Sequence, residues 1–261
     1  MAQIFVPGSK EKIPLIGLGT HGIERTDQPV SFLKKAISLG YTLIDTAENY
    51  GKGFSEEIIG RAIKDFNRKD LFIISKVSPN HLRFKDVIKS AITSVQRLNT
   101  FIDLYMIHIP NSQIPLKETF LAMEKLKQRH IIRYFGVSNF EYEDLRKAIS
   151  FGIKANEHEY SLVYRQYEEE VKLCQANNVL FLSYRPLSHG ELLDNKYKRL
   201  FFPFEKKYKK TPAQIALRWL IQKGTIPIVG SKNIEHLKEN LDIDWQVERS
   251  DMDKLSQLFK D

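Results

Sequence analysis

Eight short runs rich in β-branched, aliphatic and aromatic residues recur along the chain, each followed by a longer stretch with helical periodicity. They are Ile16 to Thr20, Thr42 to Thr46, Leu71 to Val77, Ile102 to Ile107, Ile131 to Val137, Ile153 to His158, Val179 to Tyr184 and Thr225 to Val229. Strands separated by helices pair in parallel, because the helix returns the chain to the same edge and covers the sheet face. Eight such units in 261 residues predict an α/β fold, a (β/α)8 or TIM barrel, as a single domain over residues 1–261.

The helices are legible from their apolar spacing. Phe32, Leu33, Ala36 and Ile37 share a face that stops at Gly40, and Val87, Ala91 and Val95 recur every four residues. Thr211 before Pro212 starts the helix PAQIALRWLIQK, since proline suits the first helical position, and Gly224 ends it. Met252 to Phe259 reads as an extra C-terminal helix outside the barrel. Ahead of the first barrel strand, Ile4 to Val6 and Lys12 to Leu15 flank Pro7 and Gly8, a predicted β-hairpin that plugs the barrel bottom.

A net charge of +8 favours anionic partners such as phosphates, but spread over a domain of this size it gives no reason to expect nucleic acid. The basic stretches KDFNRKD and EKKYKK read as solvated helix faces. The single cysteine, Cys174, reads as a small core residue in a reducing compartment. No apolar run approaches the roughly 20 residues needed to span a bilayer, and the start MAQIFVPGSK lacks a signal-peptide core. The expectation is a soluble cytoplasmic monomer with neither a membrane partner nor a metal site.

In a parallel barrel the loops after the strands' C-terminal ends gather at one face, where chemistry is done. Three successive apolar strands finish on an ionisable residue: Asp45 in LIDT, Lys76 in FIISK and His108 in LYMIH. Tyr50 follows Asp45 by five residues. Singly, each has a structural explanation: Asp45 capping a turn, Lys76 leaving the barrel, His108 bonding backbone, Tyr50 packing. Together they converge on one spot. A phenol with pKa about 10 is a poor acid at neutral pH, and the Lys76 ammonium beside Tyr50 is expected to lower that value. Asp45 keeps a buried Lys76 charged, and His108 is placed to orient a carbonyl oxygen or relay a proton.

The segments DTAENYG from Asp45 to Gly51, SKV around Lys76 and DLYMIHIP from Asp103 to Pro110 resemble, in order and spacing, the three catalytic segments of the aldo-keto reductase family. The likeness runs from GLGT at Gly17 to Glu239 and Asn240. It implies a tetrad of Asp45, Tyr50, Lys76 and His108 reducing an aldehyde or ketone, a small-molecule carbonyl substrate, with hydride from NADPH and a proton from Tyr50. It further implies nicotinamide contacts from Ser138 and Asn139 in GVSNF and from Glu157, with Tyr184 stacked on the ring. Gly19 and Thr20 in GLGT, and Ser231, Lys232, His236, Glu239 and Asn240 in SKNIEHLKEN, fall where the family holds the rest of the cofactor.

This sequence departs from that pattern at several positions. Glu157 stands where the family has glutamine, and an ionised carboxylate can accept from an amide but not donate to it. Gly230 and His236 replace a lysine and an arginine that grip the 2′-phosphate, leaving Lys232 to compensate and NADH as a possible cofactor. His21 and Ile109 replace two pocket tryptophans, so a more open substrate pocket is expected.

GLGTHG also spells G-x-G-x-x-G after a strand, as in a dinucleotide-binding Rossmann unit. Its context fails, because the helical run starts only at Pro29 and offers no helix terminus at the glycines. The alternative on the same fold is a non-catalytic NADPH-binding sensor or regulatory subunit.

Overall fold

The computed structural model describes residues 2–259. A two-stranded antiparallel hairpin, β1 (Gln3–Phe5) and β2 (Lys12–Pro14), comes first. The next strands are β3 (Gly17–Gly19), β4 (Leu43–Asp45), β5 (Phe72–Val77), β6 (Ile102–Ile107), β7 (Ile132–Ser138), β8 (Ala155–Glu159), β9 (Leu180–Tyr184) and β10 (Ile226–Val229). They pair in parallel in sequence order, and β10 pairs back with β3 to close the barrel. All eight expected strands are present, most trimmed by one or two residues at their ends.

The helices are α1 (Pro29–Leu39), α2 (Phe54–Ala62), α3 (Phe84–Leu98), α4 (Leu116–Gln128), α5 (Tyr142–Ile149), α6 (Glu168–Ala176), α7 (Asn195–Tyr208), α8 (Pro212–Gln222), α9 (Ile234–Asn240) and α10 (Arg249–Leu258). Thr211 caps α8 in a reciprocal box with Gln214. The extra C-terminal helix begins three residues before its apolar pattern, because the amides of Asp251 and Met252 already bond the Glu248 carbonyl. None of the helices among the described residues is long and apolar enough to cross a membrane.

Alternation along the strands sorts side chains between two cores. Leu43, Phe72, Ile74, Leu104, Met106, Ala155, Leu180, Leu182, Ile226 and Ile228 fill the barrel with Val6 and Ile13 from the hairpin. The hairpin therefore closes the N-terminal end, as expected from the sequence. Arg133 fastens it there, pairing with Glu11 and donating to Asp103 of β6 at 2.9 Å. The alternate residues, among them Ile44, Ile73, Tyr105, Phe135 and Phe181, pack outward against the helices.

Candidate active site

The inward row turns polar at the C-terminal end of the strands. Two residues beyond Leu43, Ile74, Ala155 and Leu182 stand Asp45, Lys76, Glu157 and Tyr184. Asp45, Lys76 and Glu157 are 3%, 0% and 2% exposed. Lys76 Nζ donates to Asp45 Oδ1 and, at 3.3 Å, to the Thr46 carbonyl. It also lies 3.1 Å from Glu157 Oε2, an ion pair without hydrogen-bond alignment, so that oxygen is buried with no hydrogen-bond partner.

Tyr50 reaches the cluster from a one-turn 3-10 segment, Tyr50–Gly53, whose Gly51, Lys52 and Gly53 all have left-handed φ. Glycine is favoured at the last of these by its φ of 93°, and the Arg97 guanidinium packs into the space that a Cβ would take. The turn sets the Tyr50 ring edge-on to His108, with centroids 5.7 Å apart, and 5.5 Å from Lys76 Nζ. His21 packs against its other edge at 5.1 Å. The four residues singled out from strand ends are thus brought together, with Glu157 as a fifth.

Burial alone would push the Lys76 ammonium down, but Asp45 and Glu157 outweigh it and hold its pKa above the usual value. The Asp45 carboxyl is raised by burial, against the opposing pull of Lys76. Burial and then the Asp45 charge push Glu157 up to about 7, again opposed by Lys76. Tyr50 differs from the expectation drawn from sequence. Lys76 does act to lower its pKa, but burial outweighs that pull and Asp45 and Glu157 add to the rise, so the phenol stays protonated. Burial and the nearby Lys76 lower His108 to about 4, leaving a neutral imidazole whose Nδ1 has no partner.

The cluster opens into a cavity of about 1410 Å³, more than the roughly 300–1,000 Å³ of a pocket for one drug-sized ligand. Gly19, His21, Ile109, Ser138, Asn139, Glu157 and Tyr184 line it, as do Ser231, His236, Glu239 and Asn240. Asn139, at φ 60°, donates to the His108 carbonyl at 2.8 Å and accepts from the Tyr184 hydroxyl at 2.8 Å, which holds the wall rigid. Room for two molecules, a wall with the unpartnered Glu157 oxygen and His108 nitrogen, and an open cradle at Gly230 all fit an elongated polar cofactor beside a second ligand.

Two expected contacts lie off this wall. Thr20 is buried beneath it, donating to the Asp45 carbonyl at 2.8 Å and sharing a hydrogen bond with Ser55. Lys232 is exposed at the rim and is not part of the lining. Sequence reasoning missed Arg185, Lys198 and Thr211, which do line the cavity. Thr211 was read only as a helix start, yet its hydroxyl also donates to Glu239 at 2.5 Å. Among the described residues no group of three or more His, Cys, Asp or Glu side chains is arranged for a metal ion.

The model of the Aldo/keto reductase family matches residues 15–259. The glyoxal reductase of Bacillus subtilis (strain 168) is 33% identical over 256 residues, covering 96% of this chain and 90% of its own. An NAD/NADP-dependent indole-3-acetaldehyde reductase of Schizosaccharomyces pombe is 32% identical, covering 98% and 94%. Among solved structures, a thermostable aldo-keto reductase in complex with the inhibitor epalrestat superposes with a TM-score of 0.94 at 41% identity, over 99% of this chain and all of its own. An aldo/keto reductase from Klebsiella pneumoniae in complex with NADP and acetate gives a TM-score of 0.87 at 30% identity, over 97% and 94% of the two chains.

Proposed function

The chain belongs to the aldo/keto reductase family, and we propose that Tyr50, Lys76, Asp45 and His108 carry the proton half of its carbonyl reduction. It is an NADP-dependent oxidoreductase, and NADPH, when bound, supplies a hydride to the carbonyl carbon. Ser138, Asn139 and Glu157 would hold the carboxamide end, with the Tyr184 ring against the nicotinamide. Gly19, Ser231, His236, Glu239 and Asn240 would line the path to the adenosine phosphate, and Lys232 would close over it from the rim.

Tyr50 gives its proton to the oxygen that becomes the alcohol. A phenol with a raised pKa still does this, because an alkoxide is more basic than a phenolate, and the raised value keeps the proton loaded at neutral pH. Lys76 stabilises the phenolate left behind, and Asp45 keeps Lys76 charged and aimed. The neutral His108 donates an N–H toward the carbonyl oxygen and so orients it. The observation that carries this reading is the buried Lys76, bonded to Asp45 and packed beside the Tyr50 ring, behind the cavity wall that Asp45 and Tyr50 line. His21 and the half-exposed Ile109 stand at the substrate side. The one closed barrel supports a single-domain enzyme, the unpaired Cys174 a cytoplasmic one, and the dispersed charge a partner that is a small carbonyl compound and not nucleic acid.

The test is NADPH consumption with a panel of aldehydes and ketones. Tyr50→Phe is expected to lose about 10²- to 10⁴-fold in turnover while still binding cofactor. Tight cofactor binding by the unaltered protein with no turnover of any carbonyl would instead support the sensor reading.

A further inference from the structure

The buried cluster holds two carboxylates and one ammonium paired with both, so one negative charge is in excess when both carboxylates are ionised. Lys76 is hydrogen-bonded to Asp45, whereas Glu157 meets the same ammonium as an ion pair through Oε2 at 3.1 Å. Glu157 also belongs to the cavity wall. Hydride and proton arrive at the two ends of one C=O bond, so a ring that gives hydride must lie within a few ångströms of the Tyr50 hydroxyl. Glu157, Tyr50 and Tyr184 line the same cavity, and the Lys76 ammonium that stands 5.5 Å from the Tyr50 ring lies 3.1 Å from Glu157 Oε2, so the carboxyl belongs to the wall that such a ring must face.

The nicotinamide ring is cationic when oxidised and neutral when reduced. On the reading that the ring lies against this wall, we propose that Glu157 sets the preference between the two oxidation states of the cofactor. When ionised it favours the cationic oxidised ring, and when protonated it favours the neutral reduced ring. A fixed negative charge a few ångströms from a cation in a partly buried site is a strong discriminator.

The groups facing Glu157 leave it as the one that titrates near neutrality. Lys76 on β5 is held charged by its two carboxylates, and Asp45 on β4 is bonded to it. Tyr50 and Tyr184, on the turn after β4 and on β9, are both raised by burial and stay protonated. His158 on the same strand packs against Tyr167 and is lowered by burial to about 4, as is His108. Glu157 itself is pushed up to about 7. A carboxyl raised in this way gains and loses its proton closer to neutrality than an ordinary glutamate, and the preference shifts with it.

The experiment measures Kd for NADPH and for NADP⁺ by titration calorimetry, on the unaltered protein and on Glu157→Gln, from about pH 6 to about pH 8.5. The phosphates are common to both oxidation states of the cofactor, so their own titration cancels in the ratio. The ratio Kd(NADPH)/Kd(NADP⁺) is expected to rise by about tenfold or more with pH in the unaltered protein and to stay flat in Glu157→Gln. A flat ratio in the unaltered protein overturns the proposal whatever the variant does, and so does an equal rise in the variant. If neither form of the cofactor binds, the nicotinamide site itself falls, and the inference with it.

Discussion

Replacing Lys76 with methionine preserves the length of a fully buried side chain while removing the cation that Asp45 and Glu157 face. Breaking one partner out of a buried pair costs about 3–5 kcal/mol, and that is the expected stability loss for Lys76→Met. The pH dependence has a definite sign. Without the ammonium, both carboxylates have folded-state pKa values above their unfolded ones, so the stability they contribute is present at acid pH and is lost as pH rises through the folded values. Urea unfolding of the variant should show a larger deficit at about pH 8 than at about pH 5; an equal deficit at both would mean that ionisation of the two carboxylates is not its cause. The residue identities of this cluster were legible in the sequence, since strand ends select them, but the protonation of Tyr50 was not. Its outcome depends on how much burial opposes Lys76, and burial is a property of the packed fold.

Gly60 illustrates how contacts between elements reverse a local preference. In the interior of α2, alanine would ordinarily be favoured over glycine by about 1 kcal/mol. Here a Cβ would stand 2.4 Å from the Arg97 carbonyl and 2.8 Å from that of Leu98, backbone at the end of α3. Gly60→Ala is therefore expected to destabilise by about 1–3 kcal/mol, read as a lower urea midpoint. At the segment between β10 and α9, Lys232→Ala should weaken NADPH far more than NADH if this rim lysine holds the 2′-phosphate. Equal weakening of both in a binding titration would remove that role. Every strand and the hairpin could be read from periodicity. Element ends were less legible: α10 starts where backbone amides find a carbonyl, before any apolar spacing announces it.

At the scale of the molecule, stability and chemistry sit at opposite ends of the barrel. Ile13 of the hairpin is 1% exposed and packs into the barrel core beneath the polar row. Ile13→Ala is expected to cost about 2–5 kcal/mol while leaving kcat unchanged, so a melting curve and a rate assay on the same sample separate the two ends. The sequence by itself determined the barrel, the plug and which residues stand at the active face, because two-residue and helical periodicities are properties of the chain's own order. Only the tertiary structure decided that Thr20 supports the wall from beneath, that Lys232 stays at the rim, and that Glu157 joins Asp45 as a second carboxylate on the one buried ammonium. Distance, alignment and burial set those energies, and none of them exists until the strands have closed.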